Sequence, residues 1–585
     1  MTKQIEQWPN QRHLATVFRP SNPTIVNMLL LLILLVQANL LWAAADVMPK
    51  GKGGHYATRN QQSAVAFLLP QALASLENSS TTQFEKQLKN NQQWLTAIDR
   101  KNGQSLLGLA IIKNKPAKTS LLIGYSSALK TLNRSGQTPL MVAASYGNMS
   151  ASQLLIAASI DINHRDNFQR SALFLAVKNN QPEIVSMLLK ARANLHLADE
   201  NNATPLLLAV QSGKLPLIKQ LLEHGANPND RDSKGRTLLA IATQRQMITI
   251  AKLLMSYGAD QHAVDENGRS AFMQAAVDGN TKFLHLLMTK NRNLNQRDQY
   301  DHNVLHLAAS SGNLAAVKLL LQQGLDINSR QKHQFTPLMF AANLGHSDLV
   351  SYLLEQGAEV NAQNSGKVSA LMMAAGNGDI KSIRLLIQHN AKLNLANTAG
   401  WNALFYAIAK RHSAAAKLLI QSGINIDWQD NRGATGLLLA AGNHASDIAE
   451  QLLQRGAKPT ICNYQGFSPL MAAALSGNND LIKLLLQKKN AINETDKQGR
   501  SVLHWAVQSN QQSTVNLLLK SGAIINALDN KQRSPLMTAA ALNKKNSLAE
   551  LLSAGADKTL VDQQGKNAAH WAKSRGHLAA LQQLQ

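Results

Sequence analysis

His302 and His306 stand four residues apart, the spacing in this chain that comes nearest to a metal site. Residues four apart share one face of a helix, and two imidazoles there can hold zinc. Here, however, His302 precedes the helix start that follows it, so the two rings need not share a face. A second candidate is a ladder of carboxylates at Asp166, Asp199, Asp232, Asp265 and Asp298. Paired acid and base chemistry needs two such groups converging across a defined gap. These lie one structural unit apart, about 10 Å, and each has a local turn to hold. The chain contains no Gly-rich phosphate loop followed by Lys-Ser/Thr, no H-E-x-x-H, no EF-hand loop and no nucleophile elbow. An enzyme hidden in the irregular stretch 100–132 would need a constellation around Lys113 or Lys115 that is not there. The sequence therefore assigns no catalytic residue, no metal ligand and no cofactor, and reads as non-enzymatic.

What positions all these residues is a period. From Asn133, steps of 33 reach Asp166, Asp199, Asp232, Asp265, Asp298, Gln331, Asn364, Asn397, Asp430, Asn463, Asp496, Asp529 and Asp562, with no insertion or deletion. One step back reaches Arg100, making fifteen units in phase. A short polar residue that bonds its own backbone can shape a tight turn. Three positions on, Gly recurs (Gly136, Gly235, Gly400, Gly433), as a positive φ requires. Then comes a hydroxyl followed by Pro-Leu, as in Thr138-Pro139, Thr204-Pro205, Thr336-Pro337, Ser468-Pro469 and Ser534-Pro535. That is an N-cap with Pro at the first helical position. Ala at the tenth offset (Ala143, Ala209, Ala308) allows close helix approach, and a second Gly (Gly147, Gly213, Gly345) ends the first helix. A second helix carries Leu pairs such as Leu188-Leu189 and Leu353-Leu354 and ends at Gly258-Ala259-Asp260 and its equivalents. Such a unit can bury its apolar face only by stacking on copies of itself.

On these residues the chain resembles the ankyrin-repeat family, with its 33-residue period and T-P-L-H-x-A signature. Leu305-His306-Leu307-Ala308, Leu503-His504-Trp505-Ala506 and His570-Trp571-Ala572 keep the His, while Met141 and Met339 replace it elsewhere. The resemblance implies an all-α solenoid of stacked helix-turn-helix units with β-hairpin or turn tips. It also gives His306 a structural role, bonding the neighbouring turn. It implies a binding scaffold whose partners contact the tips and the exposed side of the first helices.

Residues 1–27 are polar with Lys3, Arg12 and Arg19 against Glu6, and Met28–Val36 is unbroken apolar sequence ahead of Ala43-Ala44-Ala45. A basic region, an apolar stretch and a small-residue site make up a signal peptide, so residues 1–45 are expected to direct export and be cleaved near Ala45. The alternative is a membrane anchor through residues 28–45. Either way the repeats are expected outside the cytoplasm of a bacterial cell, periplasmic or secreted, or tethered to the inner membrane. A linker is expected over 46–61, an N-terminal helical cap over 62–99 and the repeats over 100–585, with His577–Leu584 as the C-terminal cap. The single cysteine, Cys462, excludes an intramolecular disulfide.

Lys and Arg number 59 against 35 Asp and Glu, a net charge of +24 that falls only to +22 without residues 1–45. Such an excess points to acidic protein or anionic surroundings, or else is a solvated face keeping a long scaffold soluble. Nucleic acid is disfavoured, because the basic residues look scattered and no dense stripe interleaves them with aromatics. Aromatics make up only 4% of the chain. Phe168, Tyr300, Phe335, Trp401, Tyr464 and Phe467 nevertheless fall at tip positions, and Tyr146 ends a first helix. These seven are the expected partner-binding anchors, densest over units 331–468, with folding back onto the adjacent tip as the competing use. The expectation is a monomeric scaffold for a protein partner of acidic character.

Overall fold

In the computed structural model, residue 68 and residues 70–288, 294–488 and 491–585 are described. They form two compact bodies, one ending at Leu325 and the other running from Asp326 to Gln585. The expected signal or anchor segment, the linker and the start of the N-terminal cap lie outside the described residues. Within each body, helices alternate as first and second helices of successive units, and no strand forms among the described residues. No described helix is long and apolar enough to cross a membrane.

The tip is built by one side chain. In the unit beginning at Asp166, Oδ1 accepts from the backbone N–H groups of Phe168 and Arg170, and the same pair of bonds recurs at Asp232, Asp298, Asp496 and Asp529. Each carboxylate therefore closes its own turn, which is where the acidic ladder spends its lone pairs. The hairpins shrink to turns closed by single isolated bridges, such as Arg231 with Thr237 and Thr495 with Ser501. The hydroxyl at the next position caps the first helix, as Thr138 does for Met141 N and Ser468 for Met471 N.

First helices are apolar on nearly every side. Leu437 to Ala441 are all buried in Gly436–Gly442, because both faces meet neighbouring helices. Second helices bury one stripe only, as Ile448, Ala449, Leu452 and Leu453 do in Ser446–Gln454. Adjacent units are joined by polar rungs as well as by packing. In the return loops Asn229 accepts from Asp260 N and donates to Gly258 O, and Asn361 and Asn493 repeat the bridge with their own following units.

A second rhythm spans two units. Arg165, Arg231, Gln363 and Gln429 each donate to a tip carbonyl of their own unit and to a carbonyl of the next: Ala198, Val264, Ala396 and Cys462 respectively. Arg297 keeps the first of these bonds, to Asp301 O. These donors sit in every second unit, and between them at that register stand the short Ala198, Val264 and Ala396 and one long residue, Arg330.

The chain before the first regular unit forms helices Pro70–Asn78 and Thr81–Asn90. Buried Lys118 ties them down: its ammonium donates to Ser75 O and Leu76 O, at the carbonyl end of the first, and lies over the Phe84 ring. In the irregular unit 100–132, Asn114 takes the left-handed conformation in place of the missing Gly, and a short extra helix, Ser126–Lys130, follows.

Candidate interaction surface

Each body carries an open groove on its tip side. In the first body a groove of about 430 Å³ runs beside Phe168, Phe174, Leu207 and Leu208, with Lys178 and Lys234 on its rim. Phe168 is 45% exposed, with the Arg170 guanidinium 4.6 Å from its ring centroid. In the second body a groove of about 470 Å³ lies between Tyr464, Phe467 and Trp505, edged by Arg432 and Arg500. Tyr464 is 59% exposed. It lies across Gly433, whose φ is +78° and where an added Cβ would stand 2.7 Å from the tyrosine ring. Glycine is thus required there both by the turn and by the aromatic above it.

The seven expected anchors divide by register. Phe168, Tyr300 and Tyr464, one or two positions after the turn residue, are exposed, as is Tyr146 at the end of its helix. Phe335, Trp401 and Phe467 all stand at the fourth position, and this corrects the expectation of exposure. Phe335 is 6% and Phe467 3% exposed. Their side chains turn inward onto first helices: Phe335 against Phe340 at 5.5 Å, and Phe467 edge-on to Trp505 at 4.8 Å. Trp401 is half-buried, sits on Phe405 and Tyr406, and donates its indole N–H to Asp430 at 3.2 Å. Folding back is therefore the use made of that register. The exposed aromatics do not concentrate over units 331–468, where Tyr464 alone of the four expected there faces solvent.

In other units the fourth position holds a cation that pairs with the turn carboxylate. Arg170, Arg236, Arg500 and Arg533 bond Asp166, Asp232, Asp496 and Asp529. Burial alone would raise the Asp529 carboxyl, but hydrogen bonds from Arg533 and Lys531, together with the Arg533 charge, hold it below the usual range. Trp505 and Trp571, which sequence reasoning passed over, bond the same set of carboxylates through their indole N–H groups, at Asp496 and Asp562. The Arg500 guanidinium then stacks 3.9 Å above the Trp505 ring. The signal for these was present in the sequence, since both tryptophans follow a repeat His directly.

His302, His306 and His504 are held in bonds to their own and neighbouring turns. Fully buried His306 bonds Asn303 N through Nδ1, and His302 bonds Asp298 at 3.2 Å. No group of three or more His, Cys, Asp or Glu among the described residues could hold a metal ion. His504 is the clearest case: Nδ1 accepts from Ser501 N at 3.1 Å and Nε2 donates to Arg533 O, in the next tip, at 2.8 Å. Burial lowers its pKa, so the folded state keeps the neutral ring while the unfolded chain takes up a proton near pH ~6.5. Stability from this group is complete above that pH and declines as pH falls below it. A thermal midpoint that drops between about pH 6.5 and 5, and drops less in His504→Gln, is the expected result. Parallel profiles for the two proteins would refute it.

The family model for ankyrin repeats (3 copies) matches nine stretches, eight that overlap in succession from 55–166 to 338–430 and a ninth at 437–529. The chain is an ankyrin-repeat protein. No curated protein matches it. Members of the family are in general protein-interaction scaffolds without enzymatic activity, and an interaction scaffold is what these repeats indicate here.

Proposed function

We propose that this ankyrin-repeat protein is an exported, non-enzymatic scaffold that holds a protein partner against its tips and first helices. The observation that carries the reading is the placement of Tyr464 and Phe168. Each is a large exposed ring at the lip of an open groove, in a chain poor in aromatics. Rings half in water and half against protein are typical anchors, because they bury much area at low entropic cost. The excess positive charge would speed encounter with an acidic partner.

Export rests on the sequence of residues 1–45. The competing reading, a tethered protein organising the cell envelope, rests on the same unbroken apolar run, Met28–Val36. The mass of the purified protein, expressed with its own N-terminus in bacterial cells, separates them. A start near Asp46 supports export with cleavage, and an intact N-terminus retained in membranes supports the tether. For the surface, Phe168→Ala with Tyr464→Ala is expected to leave the melting temperature unchanged. It should weaken retention of the partner in affinity capture by roughly tenfold or more. Unchanged retention would remove these rings from the reading.

A further inference from the structure

Charge is segregated in the second body in a way that names the partner's chemistry. From Asn431 to His577 the tips and first helices contain no Asp or Glu except the turn residues Asp496, Asp529 and Asp562, each buried. Those three carboxylates are consumed locally by tip N–H groups and by Arg500, Arg533 and Trp571. The remaining acids of this stretch lie on second helices and return loops: Asp447, Glu450, Asp480, Glu494, Glu550 and Asp557. The tips themselves present Arg432, Lys497, Lys531 and Lys566, beside Arg500 and Arg533, whose charges the turn carboxylates already take up. Residues that are scattered in the sequence thus become one sparse row, interrupted at the Tyr464 tip and not a dense stripe interleaved with aromatics.

The row is rigid. Backbone bonds run from tip to tip, Tyr464 N to Arg432 O, Lys497 N to Gln465 O, Asn530 N to Gln498 O and Gln563 N to Lys531 O. Neighbouring tips of stacked units lie about 10 Å apart. A polypeptide extended as polyproline II advances about 3.1 Å per residue with three residues per turn, so every third side chain returns to the same side and meets the next tip. Duplex DNA, with a charge about every 1.7 Å, is far denser than this row. Single strands need successive exposed stacking platforms, and Tyr464 is the one ring of these tips open enough to serve.

We propose that this face docks an extended acidic polypeptide with carboxylates at about every third position, and that the Tyr464–Trp505 groove takes a neighbouring apolar side chain. The proposal rests on the scaffold reading above and specifies its partner. The test uses the full chain and a 15-residue synthetic peptide with Glu at every third position and Leu between. Lys497→Glu/Lys531→Glu/Lys566→Glu reverses the tips. Lys417→Glu/Lys520→Glu/Lys545→Glu makes the same change in net charge on second helices. The tip triple is expected to lose about tenfold or more in affinity and the second-helix triple about twofold or less. Equal losses in both triples, or no binding of the peptide by the unaltered chain, would overturn the proposal. So would tighter binding of a 15-nucleotide oligothymidylate through the same three lysines. If the peptide fails while the Phe168/Tyr464 variant still loses its captured partner, only the acidic occupant falls. Failure of both takes the scaffold reading with it.

Discussion

Replacing Asp496 by alanine is expected to destabilise the units around it by about 3 kcal/mol. This carboxylate accepts four hydrogen bonds, from Gln498 N, Arg500 N, Arg500 Nε and the Trp505 indole. Alanine leaves two tip amides and an indole N–H without their acceptor, and a stacked guanidinium without its counter-charge. Unpaired buried donors cost more than the bond itself contributed, because no water replaces the lost acceptor. Asp496→Asn is expected to fall between wild type and alanine. Its Oδ1 can still close the turn, but its amide N–H₂ would face two donors. Because stability in a repeat stack is largely a nearest-neighbour sum, the effect should be local. Hydrogen exchange at the amides of 496–511 should accelerate while those of 364–379 hold, and uniform or absent acceleration would contradict this account.

Phe405→Ala is the second large effect, at about 3–5 kcal/mol. Phe405 is 1% exposed in the first helix Ala403–Ala409 and supports Trp401 at 5.9 Å. The cavity would lie between close-packed first helices that have little freedom to collapse. Phe405→Leu keeps most of the volume and is expected to cost about 1 kcal/mol. The tryptophan emission gives an independent check. Loss of its support should let Trp401 meet water, shifting the spectrum to the red in the alanine variant and hardly at all in the leucine variant. A denaturant midpoint shared by both variants would show that Phe405 is not the filler described here.

The period, the turn residue, the hydroxyl-Pro helix start and the Leu-rich second helix were all readable in sequence. Each is decided by one residue acting on its own backbone, as Asp166 and Thr138 do. The fate of the aromatics was not. Phe335 and Tyr464 are both tip residues, and only the pleat of the turn sends the fourth position onto the first helix and the earlier ones outward. The basic row was hidden for a different reason. Lys497 and Lys531 stand a full unit apart in the chain, and become neighbours only when stacking converts the period into distance.

The donors at Arg165, Arg231, Gln363 and Gln429 each reach across a seam to a short residue of the following unit. Between Arg165 and Gln429 a donor of this kind therefore stands at every second unit. Excising one unit would set two seams of the same kind side by side, whereas excising two would rejoin the chain with every reach intact. Between residues 165 and 462, lineages carrying this gene should accordingly gain and lose copies in pairs, so that a naturally shortened or lengthened form keeps an odd count like the fifteen units here.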